Sequence, residues 1–123
     1  MLSNSGYLLF INKHAVWPKC IEIQGQNLAV GQAFGVGTEL KVTVDSEARL
    51  RSRKPVGQWN SMEIRCDKDR IEVKLNGTGV LDADMSRFDA LKNRPRRGFI
   101  GLSNWNGEAY GTAFRNIKLE ELK

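Results

Sequence analysis

The stretch GQWNSMEIRCDKDRIEVKLNG, residues 57–77, decides the fold. Met62, Ile64 and Cys66 alternate with Glu63 and Arg65, the period-two pattern of a strand with one apolar and one polar face. After the Asp67-Lys68-Asp69 turn the pattern resumes: Ile71, Val73 and Leu75 point one way, and Glu72, Lys74 and Asn76 point the other. Asn76-Gly77 then offers the positive φ angles of a tight hairpin turn. The apolar side belongs in a core. The charged side, Arg65 and Lys74 included, is either wet surface or the floor of a binding groove.

Working outward, further short strands are predicted at Tyr7–Ile11, Cys20–Gln24, Leu28–Val36, Leu40–Val44, Gly98–Ser103 and Ala113–Leu122. In the last of these, Phe114 and Ile117 stand at odd spacing, which calls for a bulge or for two covered faces. One short helix is predicted over 84–92, where Met85, Phe88 and Leu91 recur after a candidate cap, Asp84. Many short strands separated by turn signals read as an all-β sandwich or jelly roll. The 123 residues suit one such domain, with no internal repeat, low-complexity segment or linker.

A hydrophobic fraction of 41% and a charged fraction of 27% fit a folded globular chain. No apolar run approaches the roughly 20 residues of a membrane helix, so no membrane partner is expected. No leader is visible at the start, which points to the cytoplasm for the chain as it stands. Cys20 and Cys66 form no Cys-x-x-Cys pair and read as half-buried strand thiols. The net charge of +5 is concentrated in Arg49, Arg51, Arg53 and Lys54 and in Lys92, Arg94, Arg96 and Arg97. Neither cluster is interleaved with aromatic residues, so nucleic-acid binding is the least favoured reading.

Several chemistries are excluded. Gly35-x-Gly37 lacks the other glycines of a dinucleotide loop, no Gly-Lys-Ser/Thr follows it, and there is no Gly-x-Ser-x-Gly elbow. His14 is the sole histidine, which rules out any site that needs two. Carboxylates remain for acid/base work on a glycoside: Glu22, Glu63, Glu72, Asp82 and Asp84. Trp17, Trp59 and Trp105 offer aromatic faces, and Ser103-Asn104-Trp105-Asn106-Gly107 sets one among hydrogen-bonding side chains, as a sugar requires. Trp59 is expected in the core.

Four motifs, in order, resemble the 3-keto-disaccharide hydrolase domains. They are Asn4-Ser5-Gly6; Trp17-Pro18-Lys19-Cys20-Ile21-Glu22-Ile23-Gln24; Gly57-Gln58-Trp59-Asn60 running to Leu75-Asn76-Gly77; and Gly98-Phe99-Ile100-Gly101-Leu102 with the closing Phe114-Arg115-Asn116-Ile117. The resemblance implies a concanavalin-like jelly roll of two antiparallel sheets, one concave and able to hold a saccharide. It implies mostly exported bacterial relatives that cleave 3-keto-glycosides, some with a bound divalent metal.

On that resemblance Glu22 is the catalytic acid/base or ligand residue and Gln24 a hydroxyl partner, with Trp105, Asn104, Lys74 and Arg65 as further substrate contacts. Many members carry histidine where Trp105 stands, and its replacement favours sugar binding over hydrolysis. Members also carry strands before Asn-Ser-Gly, so the sheets here are expected to keep open edges and to meet in a homodimer. The leading expectation is a carbohydrate-interacting sandwich with reduced or lost activity. The alternative is a non-catalytic interaction protein of the same fold.

Overall fold

The computed structural model of the chain describes residues 4–11, 21–24, 33–35, 41–42, 45–89, 92–105 and 112–123. Its elements run β1 (Asn4–Ile11), β2 (Ile21–Gln24), β3 (Ala33–Gly35), β4 (Lys41–Val42), α1 (Ser46–Ser52), β5 (Met62–Asp67), β6 (Arg70–Leu75), β7 (Thr78–Asp84), a 3-10 turn (Met85–Arg87) and β8 (Phe99–Trp105). Two antiparallel sheets result, one in the order β4-β3-β2-β1-β8 and one in the order β5-β6-β7. The chain is all-β, as its alternation predicts.

The opening stretch forms the β5–β6 hairpin, with Met62 opposite Leu75 and Asp67 opposite Arg70. Asn76 (φ 50°) and Gly77 (φ 84°) both adopt the left-handed conformation and turn the chain directly into β7, pairing Leu75 with Thr78. The ladder slips between Val73 and Lys74, leaving Val80 as the additional residue on β7. Val80 and Leu81 are consequently both buried, which strict alternation forbids.

Ile71, Val73 and Leu75 from β6 meet Leu9, Ile21 and Ile23 from β1 and β2 in one core, joined by Val80, Leu81, Ala83 and Met85. Full burial stabilises the fold by about 1.5–3 kcal/mol for each large aliphatic side chain. Met62, Ile64 and Cys66 on β5 are only partly buried against this core. The sandwich is therefore open on its β5 side. On the other side α1 packs against β7, with Ala48 buried and the Asp45 N–H donating to the Val80 carbonyl at 2.9 Å.

Three sequence expectations are corrected. Asp84 does cap a helical turn, its carboxylate accepting from the Ser86 N–H at 3.0 Å, but the turn is 3-10 and spans Met85–Arg87. Three-residue spacing of Met85 and Phe88 fits a 3-10 period as well as an α-helical face; Leu91 lies outside the described residues. The α-helix is instead α1, in the stretch that carries the first basic cluster and where no helix was predicted, and Asp45 caps it by accepting from the Ala48 N–H at 2.9 Å.

The expected strand over 113–122 does not form. Asn116 takes a positive φ of 54°, which interrupts an extended run, and Ile117 and Leu119 are exposed. Trp59 is 43% exposed rather than in the core, and the Arg115 guanidinium stacks over its ring, 3.9 Å from the centroid.

Candidate functional site

Glu22 occupies the middle strand of the five-stranded sheet, between Leu8 on β1 and Phe34 on β3. Its chain neighbours Ile21 and Ile23 fill the core, so strand alternation turns Glu22 to the opposite side of the sheet. A carboxylate there should be wet, yet Glu22 is only 6% exposed. Desolvation by burial pushes its pKa above the ordinary glutamate value. No cation or hydrogen-bond donor among the described residues is placed against it.

The backbone register arranges other candidates around this position. Gln24 pairs with Gly6 and Trp105 with Asn4, which puts Glu22, Gln24 and Trp105 at positions of one sheet face. Strand spacing and rise set the Trp105 backbone roughly 12 Å from that of Gln24 and roughly 16 Å from that of Glu22. Asn104, paired with Ser5, takes a position of the other face.

Arg65 and Lys74 are not brought together with Glu22. They belong to the second sheet, on the side turned away from the shared core, where Lys74 Nζ lies 3.5 Å from Glu63 Oε1 and Arg65 Nη2 lies 3.8 Å from Asp67 Oδ2. Alternation causes this: burying Ile64 and Val73 drives their neighbours outward. His14, Trp17 and Cys20 lie outside the described residues.

Glu22 also differs from the other carboxylates the sequence offers. Glu63 pairs with Lys74, and Glu72 and Asp82 share Arg70, whose Nη2 lies 3.4 Å and 2.7 Å from them. The hydrogen bond from Arg70 holds Asp82 below the ordinary aspartate range, and hydrogen bonds from Ser86 do the same for Asp84. Carboxylates kept ionised on a wet face are poor proton donors near neutral pH. Glu22 is shifted the opposite way from Asp82 and Asp84, toward neutrality.

A shallow hollow at the β6–β7 end, lined by Asp67, Asp69, Arg70, Asp82 and Asp84, looks at first like a cation site. Its acids are already engaged by Arg65, Arg96, Arg70 and Arg87. Among the described residues no group of three or more His, Cys, Asp or Glu side chains is placed to hold a metal ion, so these residues do not fit the divalent metal of some relatives. Members of both basic clusters are paired with nearby acids: Arg51 with Glu47, Lys92 with Asp89 and Arg96 with Asp69.

Residues 2–120 match the family model of the 3-keto-alpha-glucoside-1,2-lyase-like domain. No curated protein and no solved structure matches the chain.

Proposed function

Because the chain belongs to the 3-keto-alpha-glucoside-1,2-lyase-like domain family, we propose that it binds a 3-keto-glycoside on the non-core face of its five-stranded sheet, with Glu22 as the acid/base group. The burial of Glu22 on that face carries the reading. A solvated face gives no reason for a carboxylate to be dry, whereas the floor of a ligand hollow does.

The chemistry suits one carboxyl with a raised pKa. A ketone at C3 acidifies the hydrogen on C2. A carboxylate that removes this proton lets the C–H electron pair form a C1=C2 double bond while the C1–O bond breaks. The departing oxygen then takes a proton, which the newly protonated carboxyl supplies. Glu22 would fill both roles, and Gln24, two residues along the same strand, would bind a hydroxyl. Trp105 would pack against the apolar face of a second sugar unit.

The competing reading is a non-catalytic interaction sandwich, favoured by tryptophan standing where many relatives carry histidine. An aryl 3-keto-α-glucoside separates the two by releasing a coloured phenol. The proposal expects release, with kcat/KM lowered about 10²- to 10⁴-fold by Glu22→Gln and KM raised by Trp105→Ala. Absence of both cleavage and saturable binding at millimolar ligand overturns it, as does a Glu22→Gln variant as active as the parent.

A further inference from the structure

The strongest unexplained surface is the free end of the five-stranded sheet. β8 pairs with β1 on one side and is the last strand in the order, so one row of its backbone N–H and C=O groups has no strand partner among the described residues. Gly101 pairs with Leu8, the residue that also pairs with Glu22, so Ile100 and Leu102 stand at core-face positions. Core-face residues should be dry, but Ile100 is 57% and Leu102 42% exposed. The two sheets are unequal, five strands against three, and at the β8 edge these core-face side chains stay uncovered.

Charge identifies what covers this edge. Residues 98–107, GFIGLSNWNG, contain no charged residue in a chain that is 27% charged with a net charge of +5. Edge strands that stay single are normally guarded by charge or proline. The edge strand of the other sheet, β5, has that guard in Glu63, Arg65 and Asp67. Two copies of a basic protein repel across most of their surfaces, and a charge-free edge is where identical surfaces meet without that cost.

We propose that the chain forms a two-fold homodimer through β8, the two strands pairing antiparallel so that the five-stranded sheets continue into one another. An antiparallel pair about a two-fold axis is self-complementary, each copy's donors meeting the other's acceptors. The pairing also brings each copy's exposed Ile100 and Leu102 against the other's. This inference does not depend on the glycoside reading.

Sedimentation velocity on the full chain across roughly 1 to 100 µM, with amide hydrogen exchange at both ends of that range, tests it. The expected result is a monomer–dimer equilibrium in which protection rises with concentration in residues 99–105. Ile100→Lys, at a site exposed in the monomer, should weaken association about tenfold or more, and Ile117→Lys should leave it unchanged. A monomer throughout overturns the proposal. So does a dimer whose concentration-dependent protection falls on β5 or on residues 117–122, the other exposed apolar segment, or one that Ile117→Lys dissociates. Should Ile100→Lys fail to fold by circular dichroism, exchange in the unsubstituted chain decides.

Discussion

Asn76 Nδ2 donates to Asn60 Oδ1 at 2.9 Å, joining the two ends of the stretch that builds the β5–β6 hairpin. The same Nδ2 donates to the Ser52 carbonyl at 2.6 Å, at the end of α1, and Asn76 Oδ1 accepts from the Ser61 N–H at 2.8 Å. Asn60 Oδ1 also accepts from the Lys54 N–H at 2.9 Å. One turn residue thus fastens a helix end, a loop and a hairpin. Asn is suited to the position because it tolerates the left-handed backbone and reaches nearby peptide groups.

Asn76→Ala is expected to destabilise the protein by about 4–5 kcal/mol, from three lost side-chain hydrogen bonds at about 1 kcal/mol each and about 1–2 kcal/mol for a Cβ without a stabilising side chain at positive φ. Asn76→Gly should cost less, since it relieves the backbone term alone. Urea denaturation of both, with Asn60→Ala and the double variant, measures the coupling. Strictly additive losses at Asn60 and Asn76 would show that their contact contributes nothing.

The Arg115–Trp59 stack links the C-terminal segment to the loop before β5. Trp59 keeps 43% of its surface exposed, so the interaction is only partly desolvated and should be worth about 0.5–1 kcal/mol. Arg115→Ala should lower stability by that amount and make Trp59 more accessible to acrylamide quenching. A Trp59→Phe background isolates its signal from the other two tryptophans. Unchanged quenching in Arg115→Ala would show that the guanidinium does not shield the ring.

The double hairpin was legible because a half-covered sheet preserves the period of two, and residues 62–66 and 71–75 each carry it without interruption. The β7 bulge was not, because Val80 and Leu81 read as an ordinary apolar pair until the ladder slips. α1 was hidden for a different reason. Ala48 is its only buried hydrophobic residue, so no apolar stripe marks it, and its arginines resemble a solvated loop. A signal was nevertheless present in Asp45 followed by Glu47, a cap and a first-turn acid. For Glu22, the sequence showed a carboxylate on the strand face opposite two core isoleucines, but not that it is buried there. Local alternation assigns a residue to a face and carries no information about how deep that face lies.

That helix gives a direct test of local capping. Asp45→Ala removes the acceptor for the Ala48 N–H and is expected to cost about 0.5–2 kcal/mol, while Asp45→Asn should retain most of the stability. Thermal unfolding of the two variants beside the parent measures this. Equal losses would assign the effect to the aspartate charge near the helix start rather than to the hydrogen bond.

The raised pKa of Glu22 has a defined consequence for stability against pH. The unfolded carboxyl titrates near 4.5, and the folded one titrates higher because burial disfavours its charge. Below the unfolded value both states hold the proton, and Glu22 imposes no penalty. As pH rises through that value and on through the folded value, the unfolded state gains by ionising first, and stability is lost. Glu22→Gln, which cannot ionise, should match the parent below about pH 4 and exceed it increasingly from there toward neutrality. Asp82, Asp84 and Asp89 are shifted the opposite way and contribute stability that disappears in acid, but they are present in both proteins and cancel in the difference. Urea denaturation of the pair at a series of pH values reads the difference directly. A difference that does not change with pH would mean that Glu22 is hydrated in solution, and would remove the reason to place a proton-transferring group on the middle strand of the sheet.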